Sequence, residues 1–123
     1  MLFGKSNVSS FKTKYSFEER YKESSRVLGK YTDRLPVICE KNAKNTDIED
    51  ITKNKYLVPY DLTCGQFMYI IRQRLKLPAE KGIFLLINGM TPSSTDTIFN
   101  MYYKYKDPDN FLYITYASEN IFG

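Results

Sequence analysis

The chain's strongest nucleophiles are the thiols of Cys39 and Cys64, and it contains no histidine to activate either of them. A Ser-His-Asp triad, a Cys-His dyad and a histidine-ligated metal are therefore excluded within this chain. The two cysteines stand far apart, form no CxxC pair and supply no zinc framework; a disulfide between them is not expected in a cytosolic protein. Cys64 falls just inside a predicted helix start, where the helix dipole lowers a thiol's pKa. With no base beside it, a catalytic role is still not expected, and Cys39, in a predicted strand, reads as a small buried hydrophobe. The expectation is a protein that is not an enzyme and needs no cofactor or metal.

The 123 residues suit one domain, and 42% hydrophobic with 15% aromatic content is globular composition. The longest apolar run, Ile83 to Ile87, is far short of the roughly 20 residues of a membrane span. Met1-Leu2-Phe3-Gly4-Lys5 lacks a signal peptide's apolar core, so a cytoplasmic location is expected. The charge is +4, from 18 basic and 14 acidic residues. Lys104, Tyr105 and Lys106 mix charge with aromatics, which raises a basic nucleic-acid-binding module as one alternative. The bases are spread along the chain rather than gathered in a stripe, so no specific nucleic acid is expected.

The elements that would position any site follow from caps and periodicity. Residues 1–15 read as a weakly docked N-terminal extension. Ser16-Phe17-Glu18-Glu19 is a capping box opening a helix that carries Phe17, Tyr21, Leu28 and Tyr31 at near-helical spacing. Leu35 to Lys41 is a strand apolar on both sides, hence covered on both sides. Lys55 to Pro59 is a second strand, which its proline places at an edge. Thr63-Cys64-Gly65-Gln66 is another capping box, and Phe67, Ile70, Ile71 and Leu75 share one face of the helix behind it. Ile83 to Ile87 reads as a buried strand and Asn88-Gly89 as a turn. A short helix capped by Ser94 or Thr95 runs from about Asp96 to Tyr105, and Phe111 to Tyr116 is the last strand. Helix, strand pair, helix, strand, short helix, strand is the order of an α+β, ubiquitin-like β-grasp with a four-stranded mixed sheet and an additional N-terminal helical segment.

Several motifs in this order resemble one family. They are Pro36-Val-Ile-Cys-Glu-Lys41, Lys55-Tyr-Leu-Val-Pro59, Asp61-Leu-Thr-Cys-Gly-Gln-Phe67, Ile71-Arg-x-Arg74, Leu77-Pro-x-Glu-Lys81, Phe111-Leu-Tyr-x-Thr-Tyr116 and Glu119-Asn-x-Phe-Gly123. Together they are similar to the autophagy-related protein eight family, ubiquitin-like modifiers joined to phosphatidylethanolamine on autophagosomal membranes. The resemblance covers about residues 11–123. The chain departs from the family in its first ten residues and in Ser16 and Thr32, where many members have proline. Most family precursors continue past the glycine and are trimmed by a cysteine protease; an encoded and a processed Gly123 both remain open.

The resemblance implies that Gly123 is the chemical handle, an electrophile rather than a catalyst. E1-like and E2-like enzymes would activate its carboxylate with ATP, hold it as a thioester and pass it to the lipid amine. The protein would then move from the cytoplasm to autophagosomal membranes. It further implies a two-pocket groove for aromatic-x-x-aliphatic motifs of cargo receptors and adaptors, with the edge strand pairing the peptide backbone. The first pocket would be lined by Glu23, Val27, Pro36, Ile38, Lys55, Leu57 and Phe111. The second would be lined by Tyr56, Val58, Pro59, Leu62, Phe67, Ile70 and Arg74, with Lys53, Lys55 and Arg74 attracting flanking acids. On this reading residues 16–116 are the ubiquitin-like domain and 117–123 a flexible tail. Tyr56→Ala and Leu57→Ala are expected to weaken peptide binding in a folded domain. A ubiquitin-like modifier attached to protein lysines is the other alternative.

Overall fold

The computed structural model describes residues 9–45 and 47–119. Its elements are α1 (Ser10–Lys14), α2 (Phe17–Lys30), β1 (Arg34–Lys41), β2 (Lys55–Pro59), α3 (Cys64–Leu75), β3 (Ile83–Leu86), α4 (Ile98–Tyr105) and β4 (Leu112–Ser118). The four strands form one mixed sheet in the order β2-β1-β4-β3. β1 runs antiparallel to β2 and parallel to β4, and β3 runs antiparallel to β4. This is the ubiquitin-like arrangement that the element order implied, with β2 at one edge.

Both long helices start where the capping boxes predict. The Ser16 hydroxyl accepts from the Glu19 amide at 3.1 Å while the Glu19 carboxylate accepts from the Ser16 amide at 2.9 Å. Thr63 and Gln66 repeat the exchange for α3 at 3.1 and 2.9 Å. Each reciprocal pair satisfies two amides that a helix start otherwise leaves open.

β1 is the central strand, and Leu35 to Cys39 are all buried because both faces are covered. On one face Leu35, Val37 and Cys39 join Tyr56, Val58, Leu112, Ile114 and Tyr116 beneath Phe67 and Ile71 of α3 and Ile98 and Tyr102 of α4. On the other face Ile38 packs with Phe111, Phe11 of α1 and Tyr113. Phe11 meets Phe111 edge-on, with ring centroids 5.2 Å apart.

Four details differ from the sequence reading. Residues 10–14 form a helix capped by Ser9, and Phe11 is buried, so part of the expected extension docks on the sheet. In α2 the buried residues are Ser24 and Val27, whereas Phe17 and Tyr21 are exposed and stack on each other at 5.9 Å. Aromatic spacing there marked the outer surface, because a serine supplies the inward contact by hydrogen bonding. α4 is capped by Thr97, since the backbone before it pairs with the start of α3 through Cys64 N–H to Asp96 O at 2.8 Å. β4 continues through Ala117 and Ser118, two residues expected in the tail, because they pair with Phe84 and Ile83 of β3.

Candidate functional site

The predicted site residues gather around the β2 edge. Pro36 lies opposite Leu57, and Ile38 opposite Lys55, on the sheet face beneath α1 and α2. Tyr56 and Val58 lie opposite Val37 and Leu35 on the face beneath α3. The alternation thus divides β2 between the two faces as expected for a strand.

On the first side, Val27, Ile38 and Phe111 are fully buried and Pro36 is buried, so they form a floor. Glu23, Lys55 and Leu57 stand above that floor with partial or full exposure. Lys55 Nζ donates to Glu23 Oε2 at 2.6 Å, which ties the β2 edge to α2. The Arg26 guanidinium grips the same carboxylate through two hydrogen bonds of 2.9 and 3.0 Å. Hydrogen bonds from Arg26 and then Lys55 hold the Glu23 carboxyl down at about 2.

Beside this pair opens a cavity of about 720 Å³ between α1, α2 and the start of β2. Besides Glu23 and Lys55 its wall includes Phe11, Lys14, Arg20, Lys22 and Arg26, none of which the sequence reading placed at the site. Lys14, Lys22 and Arg26 are exposed, and the five bases of the wall outnumber its two acids, Glu19 and Glu23. The signal available in the sequence was the Ser9 cap ahead of Phe11 and Lys12, which marks a short helix. It was missed because an isolated five-residue helix has no stability of its own.

That helix is held by the rest of the molecule. The Glu40 carboxylate accepts from the Ser9 and Ser10 hydroxyls at 2.5 Å each and from the Phe11 amide at 3.1 Å. Lys12 forms an ion pair with Asp107 and lies over the Tyr113 ring at 4.6 Å. α2 is fixed by Asp109, whose fully buried carboxylate accepts from Arg20 at 2.6 Å, the Tyr113 hydroxyl at 2.5 Å and the Phe111 amide at 2.8 Å. The Ser24 hydroxyl donates to Asp109 O at 2.6 Å.

On the second side, Tyr56, Val58 and Phe67 belong to the main core. The Tyr56 ring meets Phe67 edge-on at 5.5 Å, and its hydroxyl donates to Lys53 O at 2.7 Å. Tyr56→Ala would therefore open the core, which makes it unsuitable as a probe of binding in an intact domain. Pro59 and Leu62 are half-buried, Arg74 is exposed, and Ile70 is 36% exposed. Leu57 and Ile70 belong to neither buried cluster. Leu57 is half-buried and Ile70 exposed, so both keep apolar surface open beside β2.

Cys64 is 2% exposed, and burial, then Asp96, push its thiol up to about 11, against the dipole effect expected from its position. Burial raises the Cys39 thiol further still. Both thiols are thus protonated at neutral pH. Among the described residues, no cluster of acidic or sulfur ligands could hold a metal, and no helix is long and apolar enough to cross a membrane. Gly123 lies outside the described residues.

A family model described as "Autophagy protein Atg8 ubiquitin like" matches residues 19–123. The chain is 52% identical over 115 residues to "Autophagy-related protein 8" of Kluyveromyces lactis, covering 94% of this chain and 92% of that protein. It is 50% identical over 115 residues to the Candida albicans protein of the same name, covering 94% and 84%. The crystal structure of Trypanosoma brucei ATG8 superposes with a TM-score of 0.86 at 41% identity, covering 91% of this chain and 96% of that one. The chain belongs to the Atg8 family of ubiquitin-like autophagy proteins.

Proposed function

We propose that this protein is conjugated through Gly123 to phosphatidylethanolamine and that its β2 edge recruits aromatic-x-x-aliphatic peptides. Family membership supports the first half. Gly123 stands in the Glu119-Asn-x-Phe-Gly motif, and a residue without a Cβ leaves its carbonyl open to an attacking thiolate or amine. The chain itself supplies no catalyst. An E1-like enzyme would join the carboxylate to AMP with release of pyrophosphate, and a cysteine thiolate would then displace AMP. After transfer to an E2-like enzyme, the lipid amine would form the amide as the thiolate leaves. A cysteine protease would trim any residues beyond the glycine and reverse the conjugation. Each buried CH₂ contributes about 0.8 kcal/mol, and a phospholipid's two acyl chains give stable anchoring where one would be marginal. Conjugation would thus carry a cytoplasmic protein to autophagosomal membranes.

The observation that carries the second half is that Leu57 and Ile70 flank the edge strand and belong to neither core cluster. A peptide adding a strand to β2 would place its aromatic residue toward Glu23, Lys55 and Leu57. Its aliphatic residue would lie toward Pro59, Leu62 and Ile70. The floors would be Val27, Pro36, Ile38 and Phe111 on the first side and Tyr56, Val58 and Phe67 on the second. Arg74 and the bases of the α1–α2 cavity would favour acidic flanks. Two such side chains give roughly 1.5–3 kcal/mol each. With backbone pairing added and ordering costs subtracted, affinity should be about micromolar, near −8 kcal/mol.

The test is reconstitution with the E1-like and E2-like autophagy enzymes, ATP and phosphatidylethanolamine liposomes, read by mass spectrometry. A lipid adduct at Gly123 is expected. Adducts on protein lysines without a lipid adduct would favour the protein-modifier reading.

A further inference from the structure

The last strand leaves the sheet through a side-chain clasp. Pairing of β1 with β4 ends at Lys41 and Tyr116, whereas β3 still pairs with β4 at Ile83 and Ser118. Ser118 therefore has a strand on one side, and on the other the Asn45 side chain stands where β1 would continue. Asn45 Oδ1 accepts from the Ser118 amide, while its Nδ2 donates to Ser118 Oγ at 3.3 Å and to the Asp47 carboxylate. Ser118 Oγ donates to Asp47 Oδ1 at 2.6 Å, and Lys81 pairs with Asp47 Oδ2 at 3.0 Å. Asn45 is 2% exposed and Ser118 is fully buried. The loop that carries the clasp is itself anchored: Ile48 is buried in the main core, and the Tyr116 hydroxyl donates to Glu49 O at 2.6 Å. Asn45 and Ser118 are the buried half of this network and Asp47 and Lys81 its solvent-facing rim; buried polar groups with their partners satisfied fix a single geometry.

We infer that Asn45, Asp47 and Ser118 are positioning residues for conjugation, fixing the point and direction from which the chain toward Gly123 leaves the body. This rests on the conjugation reading above. Gly123 is five positions beyond Ser118, and a chain of that length spans at most about 17 Å. An enzyme that grips the folded body must find the glycine within that radius. Losing the clasp leaves Ser118 held from the β3 side alone, so the root from which that span is measured is less sharply fixed. The effective concentration of Gly123 in the enzyme's channel should then fall by about two- to fivefold.

The experiment compares the full chain with its Asn45→Ala and Asp47→Asn variants, the second nearly isosteric. It reads the rate of thioester charging by the E1-like enzyme, amide hydrogen exchange at Ser118, melting temperature and affinity for a Trp-x-x-Leu peptide. The expected result is lost protection at Ser118 with kcat/KM for charging down about two- to fivefold and peptide affinity unchanged. A general loss of stability would instead weaken charging and peptide binding together and would overturn the positioning role. Ser118 still protected in both variants would overturn the clasp, and lost protection with wild-type charging would overturn its role in presentation. Wild-type protein that is never charged would bring down the conjugation reading itself.

Discussion

The two faces of the sheet are covered by different means. Beneath α3 and α4 the cover is a continuous apolar cluster that includes Phe67, Ile71, Ile98 and Tyr102. Beneath α1 and α2 the buried apolar cluster is Phe11, Ile38 and Phe111, and the helices are tied down by carboxylates: Glu40 and Asp107 for α1, Asp109 and Glu23 for α2. Hydrophobic burial is non-directional and sums over area, so the first face should melt with the whole domain. Of these ties the Asp109–Arg20 pair is the buried one, where losing one partner strands the other, while the Glu23 and Asp107 pairs are partly solvated. The second face should therefore open locally at less than the global cost. The proposed peptide groove lies where the two regimes meet, at the β2 edge.

The largest effect expected is on the apolar face. Phe67→Ala should lower stability by about 3–5 kcal/mol in chemical denaturation. If Phe11→Ala, on the other face, costs as much, the contrast between the faces fails; about 2 kcal/mol or less, with faster hydrogen exchange confined to α1, is expected. Next comes the buried carboxylate. Asp109→Ala leaves Arg20, the Tyr113 hydroxyl and the Phe111 amide without their acceptor, for a loss of about 3 kcal/mol. Exchange data should show α2 released while α3 stays protected.

At the boundary the effect should be on binding rather than stability. Leu57→Ala and Ile70→Ala should each weaken a Trp-x-x-Leu peptide by about tenfold in calorimetry, or about 1.4 kcal/mol, with the melting temperature little changed. Unchanged affinity in the folded double variant would remove the groove from this edge.

The smallest effect concerns Glu23. Its folded carboxyl sits at about 2, below its ordinary value of 4.5. Its contribution is therefore complete above pH 4.5 and is lost as pH falls from 4.5 toward 2. Because the pair is partly solvated, the contribution should stay below about 1 kcal/mol. Comparing wild type with Glu23→Gln in denaturation across that window isolates it. A pH dependence that the substitution leaves intact would assign the effect to Asp107 or another carboxylate.

Much of the fold could be read from local signals, and the reasons are particular. Ser16 with Glu19 and Thr63 with Gln66 announce helix starts because each pair satisfies its own amides within four residues. The run Leu35 to Cys39 announces a doubly covered strand because no polar residue interrupts it. Pro59 correctly puts β2 at an edge. What escaped local reading depends on distant partners. α1 exists because Glu40 accepts its hydroxyls and amide, and β4 reaches Ser118 because Ile83 pairs with it. At the candidate site, β2 alternation separates two sets of side chains. It cannot say that Tyr56 spends its ring on Phe67 while Leu57 and Ile70 stay outside both cores.

By itself, then, the sequence determined the elements other than α1, their order, the edge position of β2, the absence of a histidine for catalysis and the motif that ends in Gly123. Only the tertiary structure decided which apolar residues remain available beside that edge and which bases surround the cavity. It also decided how Asn45 and Asp47 close on Ser118. The division has one physical cause. Capping, alternation and chain breaking act over a few residues and leave their mark in the local sequence. Burial and ion pairing join residues tens of positions apart, and the chain carries no local record of which of them will meet.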